Sequence, residues 1–417
     1  MEQSSFVIKR TFAHTPTIEE FEIKPDSFLV VCNGVIEGIY PELPPDFYNL
    51  PLHDYHGKLI LPGMCDMHIH APQYAFRGLG MNLEGKDWGT WFMRYAFPDE
   101  SRYQDEAYAT IAYQRFADDW MKTTTTRACV YGTLHRRATE ILMEMLERKG
   151  FCAYVGKVNM DRNSMPGLEE TTEESIRETV AWLSETKTKF SHVLPIITPR
   201  YIPTCSDHLL SELGHMAKNH RMPVQSHLSE GLDEIQWVHE LRPDLSCYAE
   251  GYDKAGMLGE DIPSIMAHCV YPTDDEFDIM RSKRNLWIAH CPQSNISSSG
   301  GIAPVKKYLQ AGLHVGLGTD MAGNCSLSML RAITDTVHVS KARWAFLERK
   351  GDPSAERNII TLPNAFYLAT KGGGSFWGNV GSFEKAYEFD AVILDDTRLK
   401  DYVQRSDRER LERLIVM

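Results

Sequence analysis

The chain has no C-x-x-C pair, although it contains nine cysteines, an odd number scattered over the sequence. Small disulfide-rich folds and zinc knuckles space their cysteines in such pairs, so the sequence argues against both classes. We therefore expect reduced and mostly buried thiols, which are typical of a cytosolic protein.

Long apolar runs are also missing. The N-terminal MEQSSFVIKRTF has no apolar signal core, and no stretch approaches the roughly eighteen uncharged apolar residues that a membrane helix needs. The sequence therefore predicts a cytoplasmic protein that is neither exported nor membrane-spanning.

Blocks of basic residues are absent, and acidic residues dominate. The 44 Lys and Arg residues face 57 Asp and Glu residues, which gives a net charge of −13. Such a chain repels a nucleic-acid backbone, so we expect a small neutral ligand instead. The length of 417 residues favours one large domain with a smaller one beside it.

The most informative stretch runs from Leu59 to Gln73 and reads LILPGMCDMHIHAPQ. Side chains alternate between the two faces of a strand, so His68 and His70 are expected on one side, with Met67 and Ile69 on the other. Two adjacent imidazoles suit a metal, although two incidental buried histidines are the alternative. Ala71-Pro72 follows and does not readily extend a sheet.

Short β-like runs occupy Phe6 to Leu61, and Asn33-Gly34 between two of them is a strong hairpin signal. A similar run, FDAVIL, returns at Phe389 to Leu394. We predict that residues 1–64 and 372–417 together build one small antiparallel β-sandwich domain.

Between the two ends, apolar β-rich segments alternate with helical patterns such as ATEILMEMLERKG and ESIRETVAWLSETK. Eight such strands, each followed by a helix, predict an α/β fold of the (β/α)8 barrel type over residues 65–371. A doubly wound sheet is the alternative, but it predicts a Gly-rich phosphate loop where this chain has His-x-His. The predicted strands are Met64 to His70, Thr124 to Tyr131, Cys152 to Met160, His192 to Ile202, Pro223 to Leu228, Ser264 to Val270, Leu286 to Cys291 and His314 to Thr319.

Functional residues of such barrels gather at the carboxyl ends of the strands. Most other histidines, such as His14 and His135, are expected on loops or helices as solvated or capping groups. Candidate side chains at the strand ends are His68, His70, Arg200, Tyr201, His227, Glu230, His268, His290 and Asp320.

The chemistry that these residue types support is metal-activated water. Three histidines and a carboxylate make a nitrogen-rich site for Zn²⁺ or Fe²⁺ with an open position, and a bound metal lowers the pKa of its water toward about 7. Glu230, three residues after His227, is within reach as a proton shuttle, or it is only a helix-starting carboxylate. For His290 two interpretations remain open: the residue belongs to the site, or it only ends a capped strand.

The order PG-x-x-D-x-H-x-H, HLSE, AHC, HCPQSN and GLGTD resembles the amidohydrolase superfamily, and HAPQYAFRGLG with TPRY resembles the guanine deaminases within it. The resemblance covers nearly the whole chain. It implies guanine plus water giving xanthine plus ammonia, and a homodimer, since relatives of this kind are commonly dimers. It also implies the metal ligands His68, His70, His227 and Asp320, with His268 as a possible further ligand.

The resemblance assigns catalytic roles as well. Glu230 would shuttle protons, His268 would orient the activated water, and Asp320 would accept a proton. Tyr201 stands where many relatives are expected to carry Phe, which adds a hydroxyl near the base. The substrate contacts that the resemblance implies are His70, Gln73, Arg200, Tyr201, His227, Glu230 and Asp320.

Several other functions remain open from the residues alone. A binuclear amidohydrolase would need a bridging lysine after strand four, where this chain has TPRYI, and a cytidine-deaminase fold would need P-C-x-x-C. A non-enzymatic barrel should have lost its ligand positions, whereas each is filled here. Mononuclear deaminases of 8-oxoguanine, triazines or cytosine remain alternatives, and HAPQ with TPR favours guanine.

Overall fold

The computed structural model describes residues 5–82, 88–323, 326–353, 355–399 and 402–416. The strands are β1 Phe6–His14, β2 Glu22–Cys32, β3 Val35–Tyr40, β4 Leu52–Pro62, β5 Met64–His70, β6 Thr125–Tyr131, β7 Cys152–Gly156, β8 Val158–Asn159, β9 Val193–Pro195, β10 Thr198–Pro199, β11 Val224–Leu228, β12 Ser264–His268, β13 Leu286–His290, β14 His314–Leu317 and β15 Ala391–Leu394. The helices are α1 Trp88–Trp91, α2 Phe97–Ser101, α3 Glu106–Trp120, α4 Arg136–Arg148, α5 Thr172–Thr186, α6 Asp207–His220, α7 Leu232–Leu241, α8 Tyr248–Lys254, α9 Asp274–Ser282, α10 Pro292–Ser297, α11 Val305–Gln310, α12 Met329–Arg349, α13 Leu362–Tyr367 and α14 Asp407–Val416.

The eight predicted barrel strands are all present, and neighbours pair in parallel. One half of the barrel is β5-β6-β7-β9 and the other is β11-β12-β13-β14. The short pair β8 and β10 and a bridge between Ile197 and Val224 connect the halves on one side. On the other side, the Asp320 N–H donates to the His68 carbonyl at 2.8 Å and closes the ring. The (β/α)8 prediction is confirmed.

Both ends of the chain contribute to a second sheet in the order β15-β4-β1-β2-β3, which we call the end sheet. The predicted hairpin joins β2 to β3, and Asn33 and Gly34 have φ of 53° and 79°, which both residues tolerate. The sheet is mixed rather than antiparallel, because β4 returns alongside β1 in the same direction. The five strands lie in one sheet, so among the described residues the additional layer is a sheet and not two packed sheets.

The C-terminal helix α14 connects the two parts. Its Leu411 and Ile415 are buried in the large apolar cluster of the barrel and its helices. The Arg410 side chain of the same helix reaches the Gly57 carbonyl oxygen in β4 at 2.7 Å. The boundary between residues 65–371 and the end domain is therefore bridged by packing, and the division stays a proposal.

Strand β5 departs from simple alternation. Met67 packs among side chains from opposite barrel walls, including Cys129 and Ile265, whereas Ile69 packs in the larger cluster outside the barrel. The prediction that Met67 and Ile69 share a face is wrong, because the pairing of β5 with β6 shifts register between Asp66 and Ile69. The imidazoles of His68 and His70 still meet.

Two further expectations can be compared with the structure. Eight of the nine cysteines lie in the described residues as free thiols, six of them buried, and Cys325 lies outside those residues. His14 is not solvated: it ends β1, is buried, and lies with Nε2 3.0 Å from Glu22 and Nδ1 3.0 Å from the Ser382 hydroxyl. Among the described residues, no helix combines the length and apolar character needed to cross a membrane.

Candidate active site

Four predicted side chains converge at the carboxyl-terminal mouth of the barrel. The Nε2 atom of His70 lies 3.2 Å from His68 Nε2 and 3.2 Å from His227 Nε2. The Oδ1 atom of Asp320 lies 3.3 Å from His68 Nε2 and 3.4 Å from His70 Nε2. All four residues are buried, so these groups depend on one another rather than on water.

This donor set fits a metal ion. One hydrogen on His70 Nε2 cannot serve His68, His227 and Asp320 at once, whereas a single cation could bind all four atoms. The His227 Nδ1 atom lies 2.7 Å from the Arg200 carbonyl oxygen, so Nδ1 carries the hydrogen and Nε2 keeps its lone pair. Metal–nitrogen bonds of about 2.0–2.1 Å in a tetrahedral site separate the donor atoms by roughly 3.3 Å, which agrees with the observed spacings.

The electrostatics of the site favour the neutral form of three imidazoles, those of His68, His70 and His227. Burial, followed by the neighbouring histidines, lowers the pKa of His70 and His227 well below the usual value, and burial also lowers the pKa of His68. Burial opposes ionisation of Asp320, but the hydrogen bond from His68 and the nearby histidines hold its pKa well below the usual range. Neutral imidazoles and an ionised carboxylate are the states that bind a metal.

Glu230 is a second buried carboxylate of the site, and its pKa is shifted in the opposite direction to that of Asp320. Burial, with the Asp320 and Glu234 carboxylates nearby, raises the pKa of Glu230 well above its ordinary value. His268 lies between the two carboxylates, with Nε2 3.6 Å from Glu230 Oε2 and 3.9 Å from Asp320 Oδ2. The Nδ1 atom of His268 is 2.8 Å from Asn295 Oδ1, which fixes the ring.

The backbone has positive φ angles at several of the strand ends that carry these groups. Ser229, His268, Cys269 and Asp320 have φ of 49°, 74°, 47° and 49°. Non-glycine residues rarely adopt this left-handed conformation, which costs on the order of 1–3 kcal/mol each and concentrates at functional sites. The strand ends of the mouth are therefore strained, and the surrounding fold holds them.

A second group of polar side chains lies beside the four donor residues. The Arg200 guanidinium donates from Nη1 to Glu100 Oε2 at 2.7 Å and from Nη2 to Glu100 Oε1 at 3.2 Å. The Gln73 Nε2 also donates to Glu100 Oε1, at 2.8 Å. Burial opposes the charge of Arg200, but Glu100 outweighs it and the pKa of Arg200 is raised. The Arg200–Glu100 pair is buried, so Arg200 does not form a surface ion pair.

Two connected cavities open above these groups. The inner one, about 20 Å³, is lined by His70, Gln73, Arg200, His227, Glu230 and Asp320 among others. The outer one, about 160 Å³, shares Arg200, His227 and Glu230 with it and adds Tyr201 and Trp237. The ring of Tyr201 stacks at 6.4 Å from that of Phe92, so an aromatic wall leads toward the ligand cluster.

His290 stands apart from the convergent donors. It is buried, which lowers its pKa to about 3, and its Nδ1 has no protein partner. The Sγ atom of its neighbour Cys291 instead lies close to His68, His268 and Asp320. Burial raises the pKa of the Cys291 thiol well above its usual value, so the sulfur stays protonated and is a poor ligand in that state.

Several residues of the site were not predicted. Glu100 and the aromatic residues Phe92 and Trp237 belong to no recognisable pattern. Asp66 and Asn295 stand inside the quoted motifs: Asp66 accepts hydrogen bonds from the Thr319 and His68 N–H groups at 3.0 and 3.2 Å, and Asn295 contacts His268. Their positions in those motifs were a usable signal.

Comparison with known proteins first defines the class. The model described as the amidohydrolase family matches residues 59–417, which include every barrel strand. The chain belongs to the amidohydrolase family.

Individual relatives narrow this class. Guanine deaminase of Rattus norvegicus is 41% identical over 345 residues, which cover 82% of this chain and 73% of the relative. Guanine deaminase of Dictyostelium discoideum is 37% identical over 410 residues, with 93% and 88% covered. The crystal structure of guanine deaminase from C. acetobutylicum with bound guanine is 39% identical, has a TM-score of 0.93 and covers 99% of this chain and 96% of that one. Within its family the chain groups with the guanine deaminases.

Proposed function

We propose that this chain hydrolyses guanine to xanthine and ammonia. The observation that carries the proposal is one cavity lined by both the proposed metal-binding and the proposed purine-reading side chains. His70, His227 and Asp320 line it together with Gln73 and Arg200. The guanine bound in the related crystal structure supports the choice of substrate.

The metal is Zn²⁺ in this proposal, with Fe²⁺ as the alternative, because nitrogen-rich sites with one carboxylate suit both. His68, His70, His227 and Asp320 would hold it, with His268 beside them. When bound, such a metal acidifies a water molecule and supplies hydroxide at neutral pH.

Glu230 and Asp320 move the protons. Glu230, whose pKa is raised by burial and by the Asp320 and Glu234 carboxylates, donates a proton to the ring nitrogen next to the amino-bearing carbon, while Asp320 accepts a proton from the attacking water. His268 orients that water from its place between the two carboxylates. Of the two water protons, one leaves with ammonia and the other restores Glu230. A well-placed acid–base group contributes roughly 10²- to 10⁴-fold in rate.

Arg200 and Gln73 read the purine. Two of the five guanidinium donors of Arg200 bind Glu100, so others remain for the O6/N7 edge of guanine, which offers two acceptors. An adenine-type edge presents a donor there and is rejected. Tyr201, His70 and His227 complete the contacts around the ring.

An ultraviolet assay of the purified protein against guanine, 8-oxoguanine, cytosine, melamine and 2-aminopurine tests this proposal. We expect xanthine from guanine at the highest kcat/KM of the panel, and loss of turnover after metal removal by a chelator. A higher kcat/KM for cytosine or a triazine would assign another deaminase activity instead. The homodimer and the cytoplasmic location remain predictions that this assay does not address.

A further inference from the structure

Glu100 lies at the junction of the two side chains that are proposed to read the purine. It belongs to α2, and its side chain is 4% exposed. Its two oxygens together accept three hydrogen bonds, two from Arg200 and one from Gln73. The sequence motifs did not predict this contact, because Glu100 belongs to none of them and lies 100 positions from Arg200.

Glu100 fixes the orientation of Gln73. The Gln73 Oε1 accepts a hydrogen bond from the Ala322 N–H at 3.1 Å, while Nε2 donates to Glu100. A reversed amide would set oxygen against carboxylate and N–H against N–H, so only one orientation satisfies both partners. The direction in which Gln73 presents its remaining donor and acceptor is therefore determined by Glu100.

Glu100 also holds Arg200 in place. The two oxygens engage the flat guanidinium as a fork, and the Arg200 Cζ atom lies 5.2 Å from the centroid of the Phe92 ring and 5.3 Å from that of the Phe97 ring. A guanidinium held by two hydrogen bonds and flanked by two aromatic rings has little rotamer freedom left. Arg200 can then meet a ligand without reorganising.

The Arg200–Glu100 pair also determines how much charge Arg200 presents to the cavity. An unpaired buried guanidinium attracts anions strongly, because few water molecules screen it. With Glu100 bound to it, Arg200 keeps hydrogen-bond donors but carries almost no net charge toward the cavity. The pair then gives an anionic ring no extra attraction, so the site favours an uncharged oxopurine over a ring that has lost a proton.

We propose that Glu100 is a positioning residue that selects neutral over anionic purines by orienting Gln73 and Arg200 and cancelling the charge of Arg200. This inference rests on the proposed function, because Arg200 must face the purine. The alternative is a buried ion pair that only stabilises the fold. A structural role would change the melting temperature but not the ranking of ligands bound by the folded protein.

The test compares E100Q, E100D and the wild type at one pH near 7.5. Hypoxanthine, uncharged and carrying the same O6/N7 edge, and urate, an anion at that pH, serve as competitive inhibitors of guanine turnover. We expect E100Q to raise KM for guanine about 10- to 100-fold, the loss expected for a charged hydrogen-bond network, with a smaller fall in kcat. The ratio of the urate to the hypoxanthine inhibition constant should fall at least about tenfold. E100D should keep the wild-type ratio, because it keeps the charge.

E140Q is the matched control. Glu140 is also a buried carboxylate that pairs with two arginines, Arg136 and Arg137, both at 3.1 Å, but it lies on α4 outside the barrel. E140Q should lower the melting temperature and leave KM and the inhibitor ratio unchanged.

An unchanged inhibitor ratio in E100Q would overturn the inference while guanine turnover by the wild type stands. If the wild type does not turn over guanine, the proposed function fails and this inference fails with it.

Discussion

Polar side chains at the two ends of the barrel are paired in different ways. Where the barrel meets the end sheet, Thr126, Arg127, Glu388 and Asp390 form what we call the seam. There Arg127 donates to Glu388 at 2.6 Å and to Asp390 at 3.3 Å, and the Thr126 hydroxyl donates to Asp390 at 2.6 Å. Every group finds its partner within the protein.

The mouth leaves such pairing incomplete. Imidazole nitrogens face one another at 3.2 Å, and Nδ1 of His68, buried, has no protein partner. Unsatisfied buried polar groups typically cost about 1–3 kcal/mol each. We infer that the ion pairs at the seam stabilise the fold, whereas the unpaired imidazole cluster at the mouth costs stability that a bound metal would offset.

The largest expected effect comes from removing a ligand nitrogen at the mouth. H227A should lose the metal and with it nearly all activity, because only three of the four proposed donors remain. Elemental analysis of the purified variant measures this directly. H239A, which changes an exposed histidine on α7, is the control and should retain metal. Full metal content in active H227A would refute the ligand assignment.

The second-largest effect is expected from changing Glu230, the proposed proton shuttle. E230Q should keep the metal and lose at least about 10²-fold in kcat, because an amide can neither take nor give the proton. The control is E240Q, which changes an exposed glutamate on α7, the helix that follows Glu230 in the sequence. This variant should behave as the wild type. Retention of more than about a tenth of the wild-type rate by E230Q would make Glu230 a structural residue.

A smaller loss is expected from Arg200. R200M should lower kcat/KM for guanine roughly 10²- to 10³-fold, in line with about 2–4 kcal/mol for a lost charged donor in a closed site. Discrimination against 2-aminopurine, which lacks the 6-oxo group, should weaken as well. Because Glu100 is left with Gln73 alone, the melting temperature should fall, so rates are compared per metal-loaded site. If the ratio of kcat/KM for guanine to that for 2-aminopurine stays at its wild-type value, Arg200 does not read the oxo group.

The smallest effect on activity is expected at the seam. R127M should lower the free energy of unfolding by about 1–3 kcal/mol, below the usual loss for a broken buried pair because Glu388 is 58% exposed. Its kcat/KM should stay within about twofold of the wild type, since a change this size is under 0.5 kcal/mol. Denaturant unfolding and steady-state kinetics on the same preparation measure both. A large activity loss in R127M would show that the two ends of the barrel are coupled.

Much of the fold and of the candidate site could be predicted because it depends on local periodicity. Alternating apolar segments predicted all eight strands, and parallel strands bring their carboxyl ends to one mouth, so His68, His227, His268 and Asp320 were expected together. Those arguments use only the direction of a strand and the residue at its end.

The remaining features depend on contacts that no local pattern encodes. Glu100 reaches Arg200 from a short helix far away in sequence, and its own segment carries no motif. The register shift in β5 separates Met67 from Ile69, although their spacing predicts a shared face. His14 looked like a solvated histidine because the residues that bury it, Ser382 and Phe383, come from the other end of the chain.

The pairing of β4 with β15 affects how the protein is made. Leu59 pairs with Leu394 and Pro62 with Ala391, residues more than three hundred positions apart. During synthesis on the ribosome, β1 to β4 emerge first, and the outer edge of β4 has no strand to bind until residues 391–394 have been added. An open, apolar strand edge is a template for wrong pairing. We therefore expect the nascent chain to leave this edge unpaired through most of its translation, the period in which wrong pairing can occur.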